Sequence, residues 1–344
     1  NNYLGLANDP RVSRAAKEGI DKYGVSLCAT PIASGYSELF REAEQMLSDF
    51  MGLEDAVIFP SCYQANNGLF PAITEPEDLI LVDRYAHASL LEGIKASSCP
   101  FRLFRHNDMD HLENLLMRKR SGGQVFVVTE SVFSTEGRIA PFKTINSLCR
   151  KHGAIPVVDD SHGIGVIGSD GSGILSHSGI SDYDGIYTAS LGKAMSASGG
   201  MIGGKTSLIR YLRYSTSHLI YSTAILPASL MALLKVLSII RDEFEPISKR
   251  MWSYAHCLRD GLTREGFNLT NSQAPINSIR AGNSVETLTL AKWFYEQGIL
   301  TTAFVYPSVP EREGRIRIIA GANFRESTIE HVLNCVSNYQ SILV

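Results

Sequence analysis

Two short stretches hold side chains whose types and spacing could do chemistry. In IPVVDDSHGIGV, residues 155–166, Asp159 and Asp160 follow four apolar residues and His162 comes two positions later. A carboxylate at the exit of a buried strand is costly unless a cation or a strong donor meets it. Asp159, still inside the strand pattern, can hold a protonated ring nitrogen such as a pyridinium. For Asp160 a helix cap is an equally good reading. In TASLGKAMSASGG, residues 188–200, Lys193 stands among small residues, with glycine before it and a glycine pair after. A lysine desolvated among small groups has a lowered pKa and can form an imine with a carbonyl compound. The blander alternative is a phosphate-binding lysine, but the GxxxxGK[ST] loop is missing, and the G-x-G of HGIGV lacks its third glycine.

Other apolar runs also end in polar residues. After VIFP come Ser61, Cys62 and Tyr63, opening a helical stretch whose first N–H groups could bind an anion such as phosphate, or simply be capped by the serine. His87 follows LILVD closely; an isolated histidine there is more often a structural hydrogen-bonder than a catalyst. Glu130, Ser131 and Ser134 follow QVFVV, where a turn closed by Ser, Thr and Gly is the plainer reading.

The elements that must position these residues are legible as alternating strands and helices. AVIFP, LILVD, QVFVVTE, IPVVDD and GIYTAS read as strands. ELFREAEQMLSDFMG and DMDHLENLLMRKRSGG read as amphipathic helices that end at glycine. Apolar runs joined by helices predict an α/β fold with a mainly parallel central sheet covered by helices, and ligands in such sheets sit beyond the C-terminal strand ends. From Leu226 the texture changes to a long helical stretch, then NSIRAG, ILTTAF and GRIRIIAG. We therefore expect an N-terminal segment over 1–29 with its upstream part missing, a large domain over 30–225 and a smaller C-terminal α/β domain over 226–344.

The 344 residues are 44% hydrophobic and 19% charged, with a net charge of −3. That balance gives no electrostatic case for nucleic acid or an anionic membrane surface. Arg118-Lys119-Arg120 reads as the solvated end of a helix. The apolar run AILPASLMALLKVLSII is interrupted by Pro227 and Lys235 and is too short to span a bilayer. Six cysteines without CxxC spacing and nine histidines without HxxxH or HExxH argue against a metal site or a disulfide framework. The expected location is a reducing cytoplasm.

Ten segments in order, from NNYLGLANDP through ASGYSELFREAE, FPSCYQAN, VDRYAHASLLEG, RHNDMDHLE, TESVFSTEGRIAPF, VVDDSHGIGVIG, SLGKA and SHLIYSTAILP to GRIRIIAG, resemble the α-oxoamine synthases. These are pyridoxal 5'-phosphate (PLP) enzymes of fold type I, the aspartate-aminotransferase fold. The resemblance implies that Lys193 carries the cofactor and acts as acid and base at the substrate Cα. It implies Asp159 at the pyridine nitrogen, His162 at the ring's phenolic oxygen and His87 on the ring face. Cys62 and Tyr63 would bind the phosphate through backbone N–H groups, helped by Ser190. Ser222 and Thr223 would reach the phosphate of the partner subunit in a homodimer with shared active sites. Arg317 would grip the amino-acid carboxylate, Asn1 would touch cofactor or substrate, and Glu130 and Ser134 would line the site.

The implied reaction joins a small amino acid (Ala, Gly or Ser) to an acyl-CoA or carrier thioester, with loss of CO₂, to give an α-amino ketone. SGYS and SHLIYST resemble the 8-amino-7-oxononanoate synthase branch of biotin synthesis, the best single reading. NNYLGLAN, SCYQAN and FVYPSVP are similar to the 2-amino-3-ketobutyrate CoA ligase branch, and serine palmitoyltransferase is a third alternative. An aminotransferase and an inactive scaffold subunit are remoter ones. Ser131, the AMSASGG stretch and GANF after Arg317 depart from the family's usual pattern.

Overall fold

The structure, a computed structural model, describes residues 1–118 and 122–339. Lys119 and Arg120 of the expected basic helix end lie outside the described residues. The chain divides into two compact units.

The larger unit comprises Leu6–Ser131 and Ala140–Phe244. Its sheet has seven strands: β1 (Asp55–Phe59), β2 (Leu79–Asp83), β3 (Phe101–Phe104), β4 (Val125–Glu130), β5 (Ile155–Asp159), β6 (Ile186–Ser190) and β7 (Gly200–Gly204), in the order β1-β7-β6-β5-β4-β2-β3. Pairings among β3, β2, β4, β5 and β6 are parallel, and β7 runs antiparallel to both β6 and β1. Successive strand residues face opposite sides of a sheet. Val57, Ile80, Val82, Phe126, Val128, Val157 and Ile202 pack with helices Cys62–Ile73, Ala88–Ala96 and Thr206–Ser215 on one side. Their alternates Ile58, Leu81, Val127, Val158 and Met201 are equally buried, so both faces are covered.

Two strands were not among those expected. β3 leaves its first three residues exposed at the sheet edge, so PFRLF lacks a buried-strand pattern. β7 reads GMIGG, which has almost no strand propensity. Its glycines answer to tertiary closeness: a Cβ on Gly200 would collide with the backbone of Cys62, and one on Gly203 with the Leu53 side chain. The helix Glu38–Met51 ends at Gly52 in the left-handed region, φ 66°, as its sequence predicts.

The smaller unit comprises Asn1–Gly5, Val132–Ile139 and Glu245–Val344. It holds an antiparallel sheet of β8 (Asn277–Gly282), β9 (Thr302–Phe304) and β10 (Gly314–Ile318) in the order β8-β10-β9. Leu258, Leu262, Ile279, Leu290, Phe294, Ile316 and Ile329 form its core. The boundary expected at 225/226 falls instead inside the long helix Pro227–Arg264, after Phe244, because the first turns of that helix pack in the larger unit. Residues 1–5 and 132–139 join the smaller unit although they are remote in sequence: Ala322 N donates to Tyr3 O at 2.9 Å, and Gln273 N to Gly137 O at 2.8 Å. The expected 1–29 segment is therefore divided between the two.

Candidate active site

In the larger unit the strand ends bring one cluster together. Glu130 at the end of β4 and Asp159 at the end of β5 are paired in register, both nearly fully buried. Asp159 Oδ2 accepts from Asn66 Nδ2 at 2.7 Å, and its Oδ1 accepts from the Ser161 N–H at 3.0 Å. Ser161 Oγ accepts from the Ser190 N–H at 2.9 Å and contacts Cys62 Sγ at 3.4 Å, which joins the ends of β1, β5 and β6. His87 caps the helix Ala88–Ala96, with Nδ1 2.8 Å from Ser89 Oγ. Ser89 Oγ in turn accepts from Asn66 Nδ2 at 3.0 Å.

Electrostatics place Lys193 in the same cluster. The charges of Asp159 and Lys193 act together on Cys62, His87 and Glu130. Burial first, then Asp159, holds the Glu130 carboxyl well above its ordinary range. Burial also pushes the Cys62 thiol up, with Asp159 adding to it. His87 is exposed on one side, yet the protein around it disfavours the imidazolium and lowers its pKa, against the pull of Asp159. His162 is buried directly after the Asp159-Asp160-Ser161 run. Gly192, beside Lys193, is exposed, and a Cβ there would make only ordinary contacts, at 3.6 Å, with Ala197 O and Ser190 Oγ.

Ser61 caps the helix Cys62–Ile73, accepting from Gln64 N at 3.1 Å, so the N-cap reading holds. The first N–H groups of any helix, here those of Cys62 and Tyr63, have no acceptor within it. Gln64 Nε2 donates to Ser222 Oγ at 3.1 Å, and Thr223 is exposed. A buried carboxylate, an amine whose charge reaches the same cluster, two imidazoles and a helix N-terminus suit a phosphorylated, nitrogen-containing aromatic aldehyde. The residues present thus fit PLP. No three His, Cys, Asp or Glu residues among those described are grouped to hold a metal, and no described helix is long and apolar enough to cross a membrane.

In the smaller unit Arg317 on β10 is 8% exposed. Its Nη1 donates to Ser134 O at 3.1 Å and its guanidinium lies 4.8 Å over the Phe304 ring, while Nε has no hydrogen-bond partner among the described residues. Burial lowers the Arg317 pKa, offset in part by Tyr3. Asn1 is exposed, and Gly5, four residues further on, packs against Asn323 of the GANF stretch.

The sequence of the aminotransferase class I and II family matches residues 1–336. The chain belongs to that family. Within this aminotransferase-fold family it is similar to the 8-amino-7-oxononanoate synthase of Thermosipho melanesiensis, 33% identical over 97% of this chain and 85% of that protein. It is 35% identical to the 2-amino-3-ketobutyrate coenzyme A ligase of Escherichia coli K12, over 92% of this chain and 80% of that protein. A serine palmitoyltransferase of S. paucimobilis, solved with a bound PLP–myriocin adduct, superposes with a TM-score of 0.94 at 25% identity, covering 100% of this chain and 87% of that one. This family member is a PLP-dependent enzyme with the fold-type I architecture, of the α-oxoamine synthase kind.

Sequence reasoning did not single out Asn66, Ser89 or Ser161. Asn66 and Asp159 are 93 residues apart. The signal that could have found Asn66 is its place one helical turn after Cys62, on the face that meets the strand ends.

Proposed function

We propose that this enzyme condenses a small amino acid with an acyl-CoA or carrier thioester, with loss of CO₂, releasing an α-amino ketone. When bound, PLP supplies an electron sink for negative charge at the substrate Cα. Lys193 Nζ would hold the cofactor covalently and, once displaced by the substrate amine, would take the proton from Cα and return one there after CO₂ has left. The Asp159 carboxylate keeps a proton on the ring nitrogen, and Asn66 and the Ser161 N–H keep that carboxylate in place. His162 donates to the phenolic oxygen, and His87 covers the ring face against water. Backbone N–H groups of Cys62 and Tyr63, with Ser190, bind the phosphate at the helix N-terminus. Glu130, whose carboxyl is held well above its ordinary range by burial, lines the site. In the smaller unit Arg317, with its unpartnered Nε, binds the amino-acid carboxylate, beside Ser134 and with Asn1 as a further contact.

The observation that carries this reading is the buried Asp159, held by two donors in a cluster that also feels Lys193. We further assign a cytoplasmic homodimer in which Ser222 and Thr223 reach the partner's phosphate. The exposed Tyr63, Tyr221 and Leu226, which bracket the phosphate-binding stretches, support such an interface. For the substrate we favour alanine and a pimeloyl-type thioester, as in an 8-amino-7-oxononanoate synthase. The 35% identity to a 2-amino-3-ketobutyrate CoA ligase favours glycine and acetyl-CoA as the second reading. A thiol-release assay crossing Gly, Ala and Ser with acetyl-, pimeloyl- and palmitoyl-thioesters decides between them. Conversion of the cofactor to its amine form without thiol release would overturn the synthase reading in favour of amino transfer, and purified protein that binds no PLP would overturn both.

A further inference from the structure

The proposed reaction leaves one fully buried ionisable group of the strand-end cluster unused. Asp160 is 0% exposed, and two donors converge on its Oδ2: the Tyr187 hydroxyl of β6 at 2.7 Å and the Ile174 N–H at 2.8 Å. Ile174 opens the helix Ile174–Ser178, whose N-terminal flank Gly173 has φ 91°. Asp160 also binds through its main chain. Its N–H donates to Thr188 O of β6 at 2.7 Å, and its carbonyl accepts from Gly163 and Ile164 N–H groups at 3.0 Å each. Two glycines exist to let the carboxyl in. A Cβ on Gly163 would run into Oδ1, and one on Gly173 into Oδ2.

These contacts fasten both ends of the turn at 160–163, to β6 on one side and to the chain at 173–174 on the other. That turn carries Ser161, which donates to Asp159 Oδ1 and accepts from Ser190 N, and His162. A shift of the turn would therefore move the groups on either side of Asp160 together. An apolar replacement would leave the Tyr187 hydroxyl and the Ile174 N–H buried without their acceptor. An asparagine keeps one carbonyl oxygen and so can receive both donors.

We propose that Asp160 is a positioning residue, whose carboxyl group locks the 160–163 turn so that Asp159, Ser161 and His162 meet the cofactor ring in one fixed arrangement. The proposal rests on the cofactor contacts assigned above to Asp159 and His162. It predicts that the ring is held less rigidly when the lock is removed, even where the protein stays folded.

The test compares purified wild type, Asp160→Ala and Asp160→Asn loaded with PLP, by visible circular dichroism of the cofactor band and by equilibrium dialysis. In Asp160→Ala the band should fall to less than about half and the PLP Kd should rise roughly 10-fold, the size of effect typical of losing a group that orients a ligand-binding side chain. Asp160→Asn should restore the band and bring Kd within about 3-fold of wild type, because shape and acceptor are retained. An Asp160→Ala protein with wild-type band and Kd would overturn the proposal, as would an Asp160→Asn protein impaired as severely as the alanine variant. If Asp160→Ala does not fold, Tyr187→Phe decides: removing one of the two donors should weaken the band in the same direction, and an unchanged band overturns the lock. Failure of wild type to bind PLP would instead sink the functional reading, so the two failures are distinct.

Discussion

Two of the regions in which the larger unit buries carboxylates are built in opposite ways. Beside edge strand β1, Glu44 Oε1 accepts from Ile58 N at 2.9 Å and from Arg213 Nη1 at 3.1 Å. Its Oε2 accepts from Tyr36 OH and Arg213 Nη2, each at 2.8 Å. Arg213 Nη2 also donates to Ala56 O at 2.9 Å. The pair thus covers an N–H and a C=O on the free edge of β1, the side away from β7, where another chain would otherwise pair. Burial still holds the Glu44 carboxyl above its ordinary value, but each oxygen has two donors and a cation faces the group. At the strand ends, Glu130, Asp159 and Asp160 are buried side by side, and Lys193 is the cation whose charge reaches Glu130. The first arrangement closes a surface. The second keeps an excess of buried acid that folding alone does not require, which is how a site for a bound, proton-carrying ligand is built.

The comparison breaks most sharply at the cation. Lys193→Ala should abolish the visible absorbance of the bound cofactor and lower kcat by ~10³-fold or more, as expected for loss of a positioned acid/base that is also the point of attachment. Wild-type absorbance in that variant would remove Lys193 from the site.

One step smaller, the two regions should respond in opposite ways to loss of the carboxylate. Asp159→Asn should reduce kcat by roughly 100-fold and cost only about 1 kcal/mol in urea unfolding, since the amide keeps the shape and an acceptor for one of the two donors. Glu44→Ala should leave the cofactor spectrum unchanged and cost about 3 kcal/mol in urea unfolding, because Arg213 and the Ile58 N–H lose their acceptor. If Asp159→Asn were the destabilised variant and Glu44→Ala the inactive one, the assignment of the two regions would be reversed.

What the sequence made legible follows the same division. LILVD and QVFVVTE became β2 and β4 because continuous apolar runs reflect burial on both faces, which is a local signal. Asp159 and Lys193 were legible because a carboxylate inside a strand pattern and a lysine among small residues are anomalies at their own positions. Asn66, Ser89 and Ser161 are ordinary polar residues locally, and their role exists only once the fold brings the chain that follows β1, β2 and β5 together at the strand ends. GMIGG failed to read as a strand for the converse reason: the approach of Cys62 and Leu53, set by tertiary packing, selects glycine over strand formers. The helix-cap reading of Asp160 was half right. Its carboxyl does meet a helix N-terminus, but at Ile174, reached through space rather than along the next turn.

The smallest expected effect isolates Asp160 from the rest of the acidic cluster. Burial pushes its carboxyl up to about 7 from an ordinary 3.8, with Asp159 adding to the rise and Ser131, Tyr187 and the Ile174 N–H opposing it. Between those values the folded protein keeps a proton that the unfolded chain has released. Stability therefore falls as pH rises through that window and levels off above it. Asp160→Asn cannot titrate, so its stability relative to wild type should improve with pH by on the order of 2 kcal/mol between about pH 5 and about pH 8, measured by urea unfolding of the cofactor-free proteins. Glu130 is raised in both proteins and cancels in the difference. A difference that stays flat would mean that Asp160 is ionised throughout, compensated as Glu44 is, and the contrast between the two regions would then rest on Glu130 and Asp159 alone.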